Sequence, residues 1–140
     1  MTTEPDALRP PDASRARAER THAALSRIQE RYAATEEARA RLVNPHGLSP
    51  QEAVRLVASL AAGAVHYVDD AEPQVQDADL VAALTLLPLV RAELDELELA
   101  LLRMARGEGM TWPQIAFGLG MGSAQAAQQR HDRLAARTQP

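Results

Sequence analysis

Hydrophobic residues recur at intervals of three and four along most of this chain, which is the spacing of amphipathic α-helices. The first such stretch runs from residue 12 or 14 to residue 43. Its stripe contains Leu25, Ile28, Tyr32 and Leu42, with Thr35 and Arg39 as interruptions. This heptad-like spacing predicts one long helix. The helix packs either on its own chain or, as a coiled coil, on a second copy.

Two more helices are predicted in the middle of the chain. Ser49 and Glu52 have the spacing of a capping box and Pro50 suits the first turn, so one helix should begin here. Its inward face should be Val54, Val57, Leu60, Ala61, Ala64 and Val68, and Pro73 should follow its end. The other helix should begin near Asp79. Its inward side chains should be Leu80, Leu84, Leu87 and Val90, and Pro88 should kink or divide it.

A fourth helix is predicted from Asp95, because Asp95 and Glu98 repeat the capping-box spacing. Gly107 and Gly109 should end this helix, since glycine readily adopts the left-handed backbone that follows many helices. No segment shows the alternating β-branched pattern of a strand. The fold class should therefore be all-α.

A further capping box, formed by Thr111 and Gln114, predicts a short fifth helix. Its inward side chains should be Ile115 and Leu119. Gly120 suits a tight left-handed turn, and Ser123 can cap a last helix that runs to about Arg137. Two helices joined in this way indicate a helix-turn-helix. The expected architecture is long N-terminal helices followed by a C-terminal helix-turn-helix domain.

Charge is unevenly distributed along the 140 residues, whose net charge is −4. Residues 1–44 contain eight arginines against seven acidic residues, a net of +1. Residues 45–100 contain two against ten, a net of −8, and residues 101–140 contain five against two, a net of +3. The middle of the chain is thus acidic, whereas the C-terminal region has the basic balance that suits a polyanion.

Several classes of chemistry have no support in the sequence. The chain has no cysteine, which excludes disulfides, thiolate metal sites and cysteine nucleophiles. The four histidines lack metal-ligand spacing, and neither a phosphate-binding glycine loop nor a serine elbow occurs. We expect no enzyme, no cofactor and no metal. The apolar runs Leu56–Val65 and Leu80–Val90 are too short for a membrane span, so we expect no membrane partner.

The C-terminal residues also show a recognisable motif, Gly-x-x-Trp-x-x-Ile-Ala-x-x-Leu-Gly, followed by Gln-Ala-Ala and Arg-x-x-Arg-Leu. The matching residues are Gly109, Trp112, Ile115, Ala116, Leu119, Gly120, Gln125, Ala126, Ala127, Arg130, Arg133 and Leu134. The stretch Leu94–Leu134 resembles the reader domains of sigma-factor region 4 and LuxR-type regulators. It is still more similar to small actinobacterial helix-turn-helix DNA-binding proteins, which often have arginine where this chain has Ala124. The resemblance implies binding of double-stranded DNA.

The last helix should present its glutamines opposite Leu134. Glutamine can pair with adenine in the major groove, and arginine can bind backbone phosphates. We therefore expect Gln125 and either Gln128 or Gln129 to read bases, and the arginines to anchor phosphates. The full set of predicted DNA contacts is Thr111, Gln114, Ser123, Gln125, Gln128, Gln129, Arg130 and Arg133.

These features predict a transcriptional regulator or nucleoid-associated protein in the cytoplasm. Residues 1–13 should be a disordered tail, residues 14–90 a helical association region and residues 91–140 the DNA-binding domain. A homodimer is expected, because one recognition helix covers only a few base pairs, and the stripe of the first helix is its predicted interface. The alternative is a protein-interaction module that binds a basic partner through the acidic middle helices.

Overall fold

The computed structural model describes Leu8, Pro10 and residues 12–138, and every regular element within them is an α-helix. The helices are α1 (Ala13–Tyr32), α2 (Glu36–Ala40), α3 (Pro50–Ala61), α4 (Asp77–Gly107), α5 (Trp112–Gly118) and α6 (Ala124–Thr138). The all-α prediction is confirmed for this part of the chain. Most of the tail predicted for residues 1–13 lies outside the described residues. The chain divides into two compact units, one ending at Pro88 and the other beginning at Leu89.

The core of the first unit is built by α1, α3 and the N-terminal part of α4. Its buried side chains are Ala24, Ile28, Tyr32, Ala33, Leu42, Ala53, Leu56, Val57, Leu60, Ala82 and Leu86. The stripe of α1 therefore packs on its own chain, and the prediction that it forms the dimer interface is wrong. Ile28 and Tyr32 are fully buried, so neither can reach a second copy.

The single helix predicted over residues 14–43 is in fact two helices. α1 ends at Tyr32, and Ala33 leaves the helical backbone with φ −141°. The Thr35 hydroxyl then accepts a hydrogen bond from the Ala38 N–H at 3.1 Å and begins α2. Two glutamates in the first turn favour this new start, because acidic side chains stabilise a helix N-terminus. These local signals outweigh the continuing apolar stripe.

Helix α3 begins as predicted but ends early. The Ser49 hydroxyl accepts from the Glu52 N–H at 3.2 Å, which confirms Ser49 as the cap. The reciprocal bond of the predicted capping box is absent, because the Glu52 carboxylate accepts from the Val43 N–H instead. The helix ends at Ala61, and Gly63 follows with φ 75°. Ala61 and Ala64 are therefore exposed, contrary to prediction.

A buried carboxylate fixes the first turn of α4. Asp79 has no exposed surface and accepts hydrogen bonds from the Gln76 N–H (2.9 Å), Arg27 (2.9 Å), Arg31 (3.1 Å) and the Tyr32 hydroxyl (3.2 Å). Burial raises the pKa of Asp79, but the hydrogen bonds from Gln76 and the two arginines outweigh it, so the pKa lies below its usual value. The charged form is thus the one built into the unit.

The buried carboxylate of Asp79 also determines which face of α4 is buried. With Asp79 inward, the residues three and seven positions on, Ala82 and Leu86, enter the core. Leu80 and Leu84 are exposed, so the predicted inward face was wrong at these two positions.

Helix α4 continues through Pro88, and the separate helix predicted from Asp95 does not exist. A proline inside a helix leaves the carbonyl four residues earlier, here that of Leu84, without its N–H partner. Both residues are exposed, so water can satisfy that carbonyl. The predicted end of the helix at Gly107 is confirmed, and Gly109 follows with φ 82°.

Candidate nucleic-acid interface

The second unit packs the C-terminal part of α4 against α5 and α6. Its buried side chains are Leu99, Leu102, Ile115, Ala116, Ala127 and Leu134. Ala116 and Ala127 lie one on each of the two short helices, and their small side chains let these helices approach closely. Trp112 and Met121 pack on the edge of this cluster. The core is therefore small, and the orientation of α6 depends on few side chains.

The capping box predicted at the start of α5 is confirmed. The Thr111 N–H donates to the Gln114 side-chain oxygen at 2.8 Å, and the Gln114 N–H donates to the Thr111 hydroxyl at 3.3 Å. Both residues are exposed, so their remaining polar groups face solvent. These two members of the predicted site thus also define where α5 begins.

A tight turn connects α5 to α6. Gly120 has φ 68°, and its N–H donates to the Phe117 carbonyl at 3.1 Å. The Met121 N–H donates to the Ala116 carbonyl at 2.8 Å. These two bonds are those of a Schellman motif, in which a left-handed residue ends the helix and the next apolar residue packs back on it. The turn prediction for Gly120 is confirmed, whereas Leu119 is more exposed than predicted.

Helix α6 has one apolar side and one polar side. The Ser123 hydroxyl accepts from the Ala126 N–H at 3.1 Å, so the predicted cap is confirmed. Ala127 and Leu134 are fully buried against the unit core. The predicted base-reading residues Gln125, Gln128 and Gln129 are all exposed.

Rotation of about 100° per residue places Gln125 and Gln129 directly opposite Ala127, with Gln128 and Arg133 on the two flanks. Arg133 is exposed, and no residue that the structure describes pairs with it. The three glutamine side chains likewise have no hydrogen-bond partner within residues 12–138. The outer face of α6 therefore offers amide groups and one unpaired cation to a ligand.

Arg130 is held inside the unit rather than presented to solvent. Its guanidinium donates two hydrogen bonds to the Glu98 carboxylate on α4, at 3.0 and 2.7 Å. The hydrogen bond from Arg130 lowers the pKa of Glu98, and the pair raises the pKa of Arg130 above its usual value. The geometry joins α6 to α4 and leaves Arg130 poorly placed for the phosphate contact that we predicted.

A second arginine of α6 also points to α4. Arg137 lies 3.5 Å from the Asp95 carboxylate, in a more exposed setting. The sequence indicated neither pair: Asp95 and Glu98 had the spacing of a helix start, and their partners lie 42 and 32 residues away. No local signal could have identified these contacts.

Trp112 is a packing residue. The Arg106 guanidinium lies 4.8 Å from the centre of its ring, and the His131 ring meets it edge-on at 5.6 Å. The indole therefore lies between the end of α4 and the middle of α6. In contrast, Phe117 at the end of α5 is 88% exposed.

No protein-family model, curated protein sequence or solved structure matches this chain. Within the described residues, no group of three histidine, aspartate or glutamate side chains is placed to hold a metal ion. No helix in the same part of the chain is both long and apolar enough to cross a membrane. Any functional assignment therefore depends on the residues and geometry of the two units.

Proposed function

We propose that the second unit is a helix-turn-helix that binds double-stranded DNA, with α6 in the major groove. The observation that favours this assignment is the outer face of α6. Three glutamines and Arg133 lie there without partners among the described residues, on a helix whose other side is fixed to α4 and α5. An α-helix of this kind fits the major groove, where amide side chains can recognise bases.

The N-terminal half of α6 should contact the bases, because recognition helices usually enter the groove at that end. Gln125 lies in its first turn, and Gln128 and Gln129 lie one turn further on. Glutamine can donate and accept together, which allows a paired contact with adenine. We expect the Ser123 hydroxyl, which also caps α6, and the remaining N–H groups of the first turn to contact a phosphate at the entrance of the groove.

Arg133 is the proposed phosphate anchor on the flank of α6. Arg130 is less suited to this role, since Glu98 binds it within the unit, whereas Arg137 has only a 3.5 Å contact with Asp95. Each copy therefore makes few charged contacts with the backbone. Affinity for DNA should be modest, and its dependence on salt should be shallow for one copy.

The acidic-surface alternative receives less support from the geometry. Four of the ten acidic residues between positions 45 and 100 pair with arginines of the same chain. They are Glu72, Asp79, Asp95 and Glu98. Glu72 and Asp79 are also largely or fully buried, so they offer no charge to a basic partner.

The test is fluorescence anisotropy of the full chain with a labelled random-sequence duplex, measured between about 50 and 200 mM salt. Arg133→Ala should weaken binding to all sequences and reduce the salt slope by about one unit. Arg20→Ala is the matched control, because Arg20 is an exposed arginine of α1 with no partner among the described residues. It removes the same charge and should leave affinity almost unchanged.

Base reading is tested with Gln125→Ala on a selected preferred site and on a scrambled site. Loss of a good base contact should cost about 1–3 kcal/mol on the preferred site and little on the scrambled one. The proposal fails if the folded wild-type protein binds neither duplex, or if Arg133→Ala and Arg20→Ala have equal effects.

A further inference from the structure

The outer face of α6 also contains an acidic residue, Asp132, which is not among the predicted DNA contacts. Rotation of about 100° per residue places it within about 20° of Gln125 and about 40° of Gln128 around the helix. Its side chain is 68% exposed. Asp132 therefore belongs to the same face as the glutamines, on the side of α6 away from the buried Ala127 and Leu134.

The carboxylate of Asp132 is not explained by the stability of α6. An acidic residue in the middle of a helix is commonly stabilised by a cation three or four residues away. The residues at those positions are uncharged: Gln128, Gln129, Ala135 and Ala136. No arginine within residues 12–138 forms an ion pair with Asp132. Aspartate is also a weaker helix former than alanine, and a residue that lowers local stability in this way is often a functional one.

One neighbour, His131, holds the Asp132 carboxylate. The Nδ1 atom of His131 lies 3.0 Å from one oxygen of Asp132. Because an ionised carboxylate only accepts hydrogen bonds, Nδ1 is the donor in this contact. The imidazole is itself held by Trp112, whose ring it meets edge-on at 5.6 Å. His131 thus orients one oxygen of Asp132, and the second oxygen, which has no partner among residues 12–138, can accept from a ligand.

The chemistry of the major groove decides which base fits a carboxylate. The phosphates on both sides are negative, so a carboxylate is favourable there only where it accepts a hydrogen bond. The donors on the base edges of this groove are the amino groups of cytosine N4 and adenine N6. Adenine has the acceptor N7 beside N6, which suits glutamine but repels a carboxylate. Cytosine has a donor without a neighbouring acceptor, and it is therefore the base that fits Asp132.

We infer that Asp132 is a specificity-determining residue that accepts a hydrogen bond from the N4 amino group of a cytosine, with His131 as its positioning residue. The inference rests on the proposed binding of DNA through α6. Asp132 follows Gln125 by seven residues, which is about 10 Å along the helix or about three base pairs of DNA. The preferred site should therefore contain a cytosine about three base pairs from the adenine that Gln125 reads.

Selection of duplexes from a random-sequence library by the full chain tests this assignment. The same selection is repeated with Asp132→Asn, because asparagine has nearly the same shape but pairs with adenine N6 and N7. One base of the selected site should change from cytosine to adenine, and the other bases should stay the same. Anisotropy with two duplexes that differ at this base should show about a 10-fold preference for cytosine in the wild-type protein and the reverse preference in the variant.

Two further variants separate base reading from charge. Asp132→Ala should lose the preference at this base and should bind other sequences at least as tightly as the wild-type protein, because it removes a negative charge near the phosphates. Glu96→Gln is the matched control, since Glu96 is an exposed acidic residue of the second unit that lies outside α6. It also removes one negative charge, and it should leave the base preference unchanged.

The positioning role of His131 is tested by two substitutions. His131→Asn keeps a side-chain N–H near the position of Nδ1 and should retain most of the preference for cytosine. His131→Leu removes the donor and should relax that preference. If His131 were only a packing partner of Trp112, the leucine variant would weaken binding to all sequences equally and keep the preference, and its positioning role would be refuted.

The outcomes distinguish this inference from the proposed function. The inference alone is overturned if the wild-type protein and Asp132→Asn select the same bases. It is also overturned if Asp132→Ala binds all sequences more tightly without any change of preference. Failure of the folded wild-type protein to bind any duplex of the library would overturn the proposed function and this inference together.

Discussion

The pair between Glu98 and Arg130 allows a quantitative test of how α6 is held. Its two hydrogen bonds are short, at 3.0 and 2.7 Å, and the side chains of Arg130 and Glu98 are 33% and 20% exposed. Fully exposed pairs contribute about 0.2–1 kcal/mol, whereas breaking a buried pair costs about 3–5 kcal/mol. Since solvent partly screens this pair, we expect a coupling free energy of about 1–2 kcal/mol.

A double-mutant cycle of Glu98→Gln, Arg130→Gln and the double variant isolates that coupling. Urea unfolding can be followed separately in each unit. Trp112 is the only tryptophan and lies in the second unit, while Tyr32 and Tyr67 both lie in the first. Arg130→Gln should therefore lower the stability reported by tryptophan emission and leave the tyrosine signal unchanged.

The coupling should also depend on pH in one direction. The hydrogen bond from Arg130 lowers the pKa of Glu98 in the folded unit below its usual value of 4.5. The charged carboxylate therefore contributes stability that is fully present above pH 4.5 and is lost as the pH falls through the folded value. The cycle should give its full coupling at neutral pH and almost none in acid.

Arg137→Gln is the control, because Arg137 is 60% exposed and its contact with Asp95 is 3.5 Å long. That substitution should cost less than about 0.5 kcal/mol. Equal effects at Arg130 and Arg137 would refute the reasoning. The reasoning would also be refuted if Arg130→Gln left stability unchanged but weakened binding to all DNA sequences, because Arg130 would then be a phosphate anchor.

Two further substitutions test the local structure. Asp79→Asn should destabilise the first unit by about 2–3 kcal/mol in urea unfolding followed by tyrosine, because it leaves buried donors facing a neutral group. Asp77→Asn, at an exposed acid two residues earlier, should cost about 0.5 kcal/mol, and equal losses would contradict the assigned network. Gly120→Ala should destabilise the second unit by about 1–2 kcal/mol, since alanine is strained at φ 68°. Gly118→Ala, inside α5 with open space around it, should be neutral or stabilising, and the same sign at both glycines would exclude a conformational cause.

Capping was the most predictable part of this fold. Ser49, Thr111 and Ser123 all accept from an N–H three residues further on, so the evidence for each lies within one turn of sequence. The all-α class and the turn at Gly120 follow from equally local signals. The break after Tyr32 was missed because the apolar stripe continues across it at the correct spacing, although Thr35 was available as a cap.

Contacts between distant residues were not predictable in the same way. Leucine at positions 80 and 84 is more hydrophobic than Ala82, so periodicity alone placed the wrong face of α4 inward. The buried charge of Asp79 decided the rotation instead. Likewise, the spacing of polar residues in α6 predicts its outer face. It does not predict that Arg130 points to α4, because that orientation depends on the distant Glu98.

The distribution of arginines in the second unit limits the charge of the proposed DNA-binding surface. Three of the arginines in the second unit have intramolecular roles, since Arg130 and Arg137 bind α4 and Arg106 lies over Trp112. The contacts of Arg130 and Arg137 with α4 stabilise the orientation of α6. They also reduce the positive charge available to a ligand, so that Arg133 is the unpaired arginine on the outer face of α6. A single copy therefore has a well-oriented but weakly charged recognition helix, and weak charge means little gain from counterion release.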